Sequence, residues 1–273
     1  MSTLRIALAQ VDVAWHDRPG NLARAEALVA RAASRGARLL VLPEMFAVGF
    51  TMDAAQADPH DGPTAAWARE VAARHDVALI LGVPEVPAPG AEGDTPSATP
   101  PPDRARPLNV AMLVRPDGGT ERYAKTHLFS FSAENAHYRS GDRIVTWNID
   151  GVRVTPLICY DLRFPEPFRL AADDTDLFVV IASWPERRAA HWRLLLRARA
   201  VENQAWVAGV NRVGTGDGLA YRGDSALIDP WGEVHAEAAE QEALLVLDVD
   251  ASGVTSARAA FPPLRDRRSD LRR

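Results

Sequence analysis

The chain has 273 residues, a formal net charge of -5, 47% hydrophobic and 25% charged residues, enough for one sizeable α/β domain or two small ones. This balance excludes a disordered chain, and the mild acidity leaves no broad electrostatic footprint for nucleic acid. A single cysteine, Cys159, excludes an intrachain disulfide and suits a reducing compartment.

The N-terminal run Leu4–Val11 is too short for a signal peptide or a membrane span and predicts the first strand of a cytoplasmic protein. After Pro19-Gly20, Asn21 is placed to cap a helix. Leu22, Ala25, Leu28, Val29 and Ala32 recur at helical spacing, and Gly36 stops it. Arg38–Leu42 predicts a short buried strand that ends at Pro43-Glu44. A helix over Ala65–Arg74 and a strand over Val77–Val83 complete a β-α-β-α-β third.

Residues 85–107 break this rhythm with a run of prolines that builds neither helix nor central strand. They predict an exposed surface decoration rather than a lid. Asn109–Arg115, a Pro-Asp-Gly-Gly turn and Thr120–Ala124 form a hairpin, with Lys125 at its end. A polar loop, Thr126–Asp142, leads to a strand over Ile144–Ile149, the turn Asp150-Gly151, and the apolar strand from Val152 to Cys159. Pro165-Glu166 then has helix-start chemistry.

Beyond it, helices are predicted at Phe168–Ala172 and His191–Gln204. Strands fall at Leu177–Ser183, Trp206–Val210, Ser225–Asp229, Glu233–Ala236 and Ala243–Val249. The end from Ser252 to Arg273 reads as a polar tail. Its arginines, Arg265, Arg267, Arg268, Arg272 and Arg273, lack interleaved aromatics, so a solvated or subunit-contacting end fits better than a nucleic-acid arm.

Three strand ends thus carry a carboxylate (Glu44), an ammonium (Lys125) and a thiol (Cys159). If the ends share a direction, the groups converge in one crevice. A thiol attacks a carbonyl or nitrile carbon as its thiolate, so a base must take its proton. Helix-start N–H groups beside Cys159 favour that thiolate. A carboxylate after Leu39–Leu42 lies in apolar surroundings that raise its pKa and suit it to act as base and then acid. The lysine favours the thiolate and can stabilise an oxyanion, as can a backbone N–H near Tyr160.

The local sequences around these groups are recognisable. Leu42-Pro43-Glu44-Met45-Phe46, Tyr123-Ala124-Lys125-Thr126-His127-Leu128-Phe129 and Ile158-Cys159-Tyr160-Asp161-Leu162-Arg163-Phe164-Pro165 resemble the three catalytic signatures of the nitrilase superfamily of carbon–nitrogen hydrolases. The likeness continues through Ala182-Ser183-Trp184-Pro185, Gly209-Val210-Asn211-Arg212, Tyr221-Arg222-Gly223-Asp224-Ser225 and Asp229-Pro230-Trp231-Gly232, nearly the whole chain. Within that superfamily it is most similar to the ω-amidases, which cleave the side-chain amide of 2-oxoglutaramate and similar monoamides. The resemblance implies one catalytic domain over residues 1–273, folded as a four-layer α-β-β-α sandwich. It also implies a homodimer or larger assembly, and a second catalytic-site carboxylate, Glu134, that holds Lys125.

A small monoamide with a free carboxylate needs a fixed cation, and Arg163, Arg187 and Arg188 are the candidates beside Trp184. Arg163 has a competing use in an ion pair with Asp161, Glu166 or another acid, and one of Arg187 and Arg188 is expected to face solvent. The same catalytic set can open a nitrile, an aliphatic amide or an N-carbamoyl amino acid, and a catalytically silent binding protein could use the same fold.

A Cys-His hydrolase would draw on His127, His137 or His191. A metal hydrolase finds no His-Glu-x-x-His and no ligand pair at the right spacing, so no metal or organic cofactor is expected. Gly214-Thr215-Gly216-Asp217-Gly218 lacks the Lys-Ser/Thr of a phosphate loop and reads as a turn-rich loop. The partner is a small amide, with no nucleic acid and no membrane.

Overall fold

The computed structural model describes residues 2–88 and 106–268. In chain order the elements are β1 (Thr3–Gln10), α1 (Arg18–Ser34), β2 (Leu39–Val41), α2 (Pro63–His75), β3 (Ala78–Glu85), β4 (Leu108–Val114), β5 (Thr120–Ala124) and α3 (Glu134–His137). There follow β6 (Trp147–Ile149), β7 (Val152–Ile158), α4 (Pro165–Ala171), β8 (Leu177–Ala182), α5 (Ala189–Asn203) and β9 (Trp206–Asn211). The chain continues through β10 (Val213–Gly216), β11 (Leu219–Arg222), β12 (Ala226–Ile228), β13 (Val234–Glu237), β14 (Ala243–Asp250) and α6 (Ala251–Ala260).

Two six-stranded sheets carry the fold, ordered β14-β1-β2-β3-β4-β5 and β13-β12-β9-β8-β7-β6. Each has a parallel centre (β1-β2-β3 and β7-β8-β9) and antiparallel flanks. Strand alternation explains the layering. Leu4, Ile6 and Leu8 of β1 and Ile80 of β3 join the core shared with the second sheet. Ala7, Ala9, Leu79 and Leu81 face a separate core with Val29 of α1 and Val71 of α2. On the other side, Trp192, Leu196 and Ala200 of α5, at i, i+4 and i+8, pack on the second sheet. The result is the α-β-β-α sandwich. β14 closes it by pairing antiparallel with β1 from Thr3↔Asp250 to Gln10↔Ala243.

Several local expectations change. Asp17, not Asn21, caps α1, its carboxylate accepting from Gly20 N at 3.0 Å. Asn21 is buried within the helix, where its amide donates to the Ala14 and Ala47 carbonyls and ties two loops down. Ile144 and Val145 precede β6 without joining it. The polar loop after Lys125 contains α3, and residues 213–222 form a hairpin rather than a turn-rich loop. The supposed tail begins as a helix capped by Asp250, which buries Val254 and Ala257. Glu85 and the edges of the proline-rich stretch are ordered: Glu85 ends β3 and pairs with Arg122 at 2.7 Å. Residues 89–105, and the arginines at 272 and 273, lie outside the described residues. Among the described residues no helix is long and apolar enough to cross a membrane.

Candidate active site

Glu44 follows β2 across Leu42-Pro43 and is fully buried. The chain reverses at Met45, whose φ is +46°. β3 passes so close that a Cβ on Gly82 would fall 2.5 Å from Glu44 Cα and 2.4 Å from Met45 N. Lys125 follows β5, and its carbonyl accepts from Gly141 N at 2.8 Å. A Cβ on Gly141 would meet Ala124 O at 2.3 Å, so only glycine lets the returning loop lie against this strand end.

The carboxylates and the lysine form one buried cluster. Lys125 Nζ donates to Glu44 Oε1 at 2.9 Å and to Glu134 Oε1 and Oε2 at 3.1 and 2.9 Å. Asn109, in β4, bridges both acids, its amide donating to Glu44 Oε1 at 2.8 Å and Glu134 Oε1 at 2.9 Å. Both partners are acceptors, which fixes the orientation of the amide. Glu44 Oε2 accepts from Ser183 N at 2.8 Å, and Glu134 Oε2 from Phe129 N at 2.6 Å. Burial works against the charge on Lys125, but Glu134 and Glu44 outweigh it and keep the ammonium protonated.

Cys159 leaves β7 with φ +44° and opens a 3-10 turn, Cys159–Arg163. The first N–H groups of such a turn have no acceptor within it. Asp161 pins the turn. It is fully buried and accepts from Ile158 N at 3.0 Å, Tyr123 Oη at 2.8 Å, Thr126 Oγ1 at 2.9 Å and His127 N at 2.9 Å. One carboxylate therefore ties the cysteine turn to the lysine loop across the sandwich.

The neighbours that favour the thiolate do not prevail at rest. Burial, followed by the Glu44 carboxylate, pushes the Cys159 thiol well above its ordinary range, with Lys125 pulling the other way. The resting group is a thiol, and its proton must leave as it attacks.

A cavity of about 230 Å³ opens on Cys159 and Tyr160. Trp184 and all three candidate arginines line it. Arg163 does not pair with Asp161 or Glu166. Its guanidinium lies 4.8 Å from the Trp184 ring centroid, and its Nη2 is 3.2 Å from His191 Nδ1. Arg187 and Arg188 both line the cavity; Arg187 is exposed, as expected for one of the pair, and Arg188 is half-buried. Arg188 lies 5.1 Å from the Phe129 ring centroid, and its carbonyl accepts from Trp184 Nε1 at 2.8 Å. Burial, then Arg187 and Arg163, lowers the pKa of Arg188. Among the described residues none of these three arginines has a carboxylate partner.

His127 is spent on Asp161, 2.9 Å from its Nδ1, and stacks on Phe164; neither His137 nor His191 lines the cavity that opens on the thiol. This removes the Cys-His reading. Among the described residues no group of three or more His, Cys, Asp or Glu side chains is placed to hold a metal ion.

Sequence reasoning assigned no role to Asn109, Ser183 or Tyr221, and to Asp161 only an alternative ion pair with Arg163. An amide at the head of the apolar run Asn109–Val114 was a signal in hand, as was an acid two residues past the thiol.

A family model described as carbon-nitrogen hydrolase matches residues 5–259. An omega-amidase of Yersinia enterocolitica, YafV, is 40% identical over 270 residues, 97% of each chain. A 2-oxoglutaramate amidase of Bacillus subtilis is 31% identical over 272 residues, 97% of this chain and 98% of its own. The crystal structure of XC1258 from Xanthomonas campestris, a CN-hydrolase superfamily protein with an arsenic adduct in its active site, superposes with a TM-score of 0.88. It is 36% identical and covers 100% of both chains.

Proposed function

The chain belongs to the carbon-nitrogen hydrolase family, and from that premise we propose that it is an amidase releasing ammonia from a small carboxylate-bearing ω-amide such as 2-oxoglutaramate or succinamate. The whole chain serves as one catalytic domain. The observation that carries this reading is a buried Glu44–Lys125–Glu134 cluster next to a thiol whose cavity is lined by three arginines that have no carboxylate partner among the described residues.

Cys159 Sγ attacks the amide carbon, and its proton passes to Glu44. Lys125 and a backbone N–H near Tyr160 stabilise the oxyanion, a contribution of about 3 kcal/mol per donor. The C–N bond breaks as Glu44 returns the proton to departing ammonia, leaving a thioester. Water then attacks that carbonyl, giving a proton to Glu44. The C–S bond breaks, the sulfur regains its proton and the free acid leaves. Glu134 and Asn109 hold Lys125 and Glu44 in register throughout.

The substrate carboxylate sits among Arg163, Arg187 and Arg188, beside Trp184. Arg188 is the best placed of the three, because an anion relieves the repulsion it suffers from its neighbours. Neutral aliphatic amides and simple nitriles would leave those charges unmatched. A lone thiol suits a reducing compartment, and a cytoplasmic site of action is part of this proposal.

An ammonia-release panel of ω-amides, neutral amides, nitriles and N-carbamoyl amino acids tests the assignment, with acid-quenched intact mass reporting an acyl group on Cys159. Arg188→Ala should raise KM for succinamate by roughly tenfold or more, and far less for a neutral amide of equal length. Preference of the unaltered enzyme for neutral amides or nitriles would overturn the ω-amidase reading. Undiminished turnover by Cys159→Ala would overturn the thioester chemistry as well.

A further inference from the structure

One wall of the cavity is the β10–β11 hairpin, which supplies Asp217, Leu219 and Tyr221. Three tyrosines are buried among the described residues. The hydroxyl of Tyr123 donates to Asp161 and that of Tyr138 to the Thr51 carbonyl at 2.7 Å. Tyr221, only 5% exposed, makes no side-chain hydrogen bond among the described residues. A buried phenol ordinarily finds a partner, and one that lines a cavity can find it only in what enters.

The ring is also braced from behind. The Arg212 guanidinium lies 4.5 Å from the Tyr221 ring centroid and is itself fully buried. It donates to Val213 O at 3.2 Å, to Thr215 O at 3.0 Å and to Asp12 Oδ1 at 3.0 Å, which ties it to the hairpin. Burial pushes the phenol up to about 12, so it remains a neutral donor at physiological pH.

The two ends of a monoamide substrate are already served, the amide by Cys159 and Lys125, the carboxylate by the arginines. Tyr221 shares the cavity with Cys159 and the arginines and feels the charge of Glu44. What remains for a neutral donor is an acceptor on the chain between those ends. We propose that Tyr221, held by Arg212, is a specificity residue whose hydroxyl donates to an oxo group beside the substrate carboxylate. The enzyme thereby selects amides of 2-oxo acids over the same chains without the oxo oxygen. This rests on the amidase reading above and adds to it the group that reads the oxo oxygen.

The test compares glutaramate with its 2-oxo derivative, two monoamides differing only in that oxygen. Tyr221→Phe keeps the ring over Arg212 and removes the donor. The ratio of kcat/KM for the 2-oxo amide to that for glutaramate should fall roughly tenfold, mostly through KM, without a shift in melting temperature. Arg212→Lys should lower the same ratio in the unaltered background and leave it unchanged in Tyr221→Phe. An unchanged ratio in Tyr221→Phe, or equal losses on both amides, overturns the proposal while the amidase reading stands. Failure of the unaltered enzyme on both amides overturns the two together.

Discussion

Cys159 combines two demands that pull apart, since a nucleophile benefits from early ionisation and a buried one resists it. Here burial and Glu44 win over Lys125, so the thiol keeps its proton until a substrate carbonyl is within reach. In the proposed reaction Glu44 is thereby needed in every turnover, and no standing thiolate would be exposed to oxidants. The sign is testable by alkylation. A raised thiol pKa means less thiolate at neutral pH than an ordinary cysteine carries. Iodoacetamide labelling of Cys159 should therefore keep accelerating above the pH at which a free thiol is fully ionised. A rate already level at neutral pH would show a resting thiolate instead.

At the level of elements, the site depends on close backbone approach. β2 has only three residues, and Glu44 is placed by the reversal at Met45 packed on β3. Gly82 makes that packing possible, because a methyl group there would strike backbone atoms that cannot swing aside. Gly82→Ala should push the Glu44 turn away from Ser183 and Lys125. We expect kcat to fall at least tenfold with a smaller change in KM, and stability to drop by about 1–3 kcal/mol, as for other overpacked sites. Equal kcat in the variant, measured with succinamate, would mean the turn tolerates displacement. The cysteine turn has a different support, the Asp161 carboxylate, whose partners come from both sheets' strand ends.

For the molecule as a whole, the outer face of α4 and α5 carries a feature the catalytic site does not explain. Leu170, Val201 and Phe261 are 79%, 50% and 60% exposed and line one groove with the basic segment that follows α6. Apolar groups gathered this way mark a contact surface more often than a solvated one. The proposed occupant is a second copy of the chain, which would make the C-terminal segment part of a subunit contact. Val201→Glu should halve the mass seen by light scattering and leave the fold intact by circular dichroism. A monomeric unaltered protein, or an unchanged mass in the variant, would remove this assembly.

The sequence alone carried the proposed chemistry, because each group assigned to it is announced locally. An apolar run sets a strand, a proline or a turn ends it, and Glu44, Lys125 and Cys159 follow directly at those ends. Glu134 was legible only through resemblance, since four residues of helix in a polar loop carry no periodic signal. Which strands pair, and which sheet faces which, is decided by burial summed over the whole chain, so long-range partners that no strand end announces stayed hidden. Asn109 meets Glu44 across 65 residues, and Ser183 meets it across 139. The same holds for Arg163, whose alternative ion pair was reasonable by spacing. Only the packed molecule shows Asp161 taken by four other donors and Arg163 turned onto Trp184. It likewise shows that burial outweighs the lysine at Cys159, because desolvation depends on how completely the two sheets enclose the thiol rather than on the residues beside it in the chain.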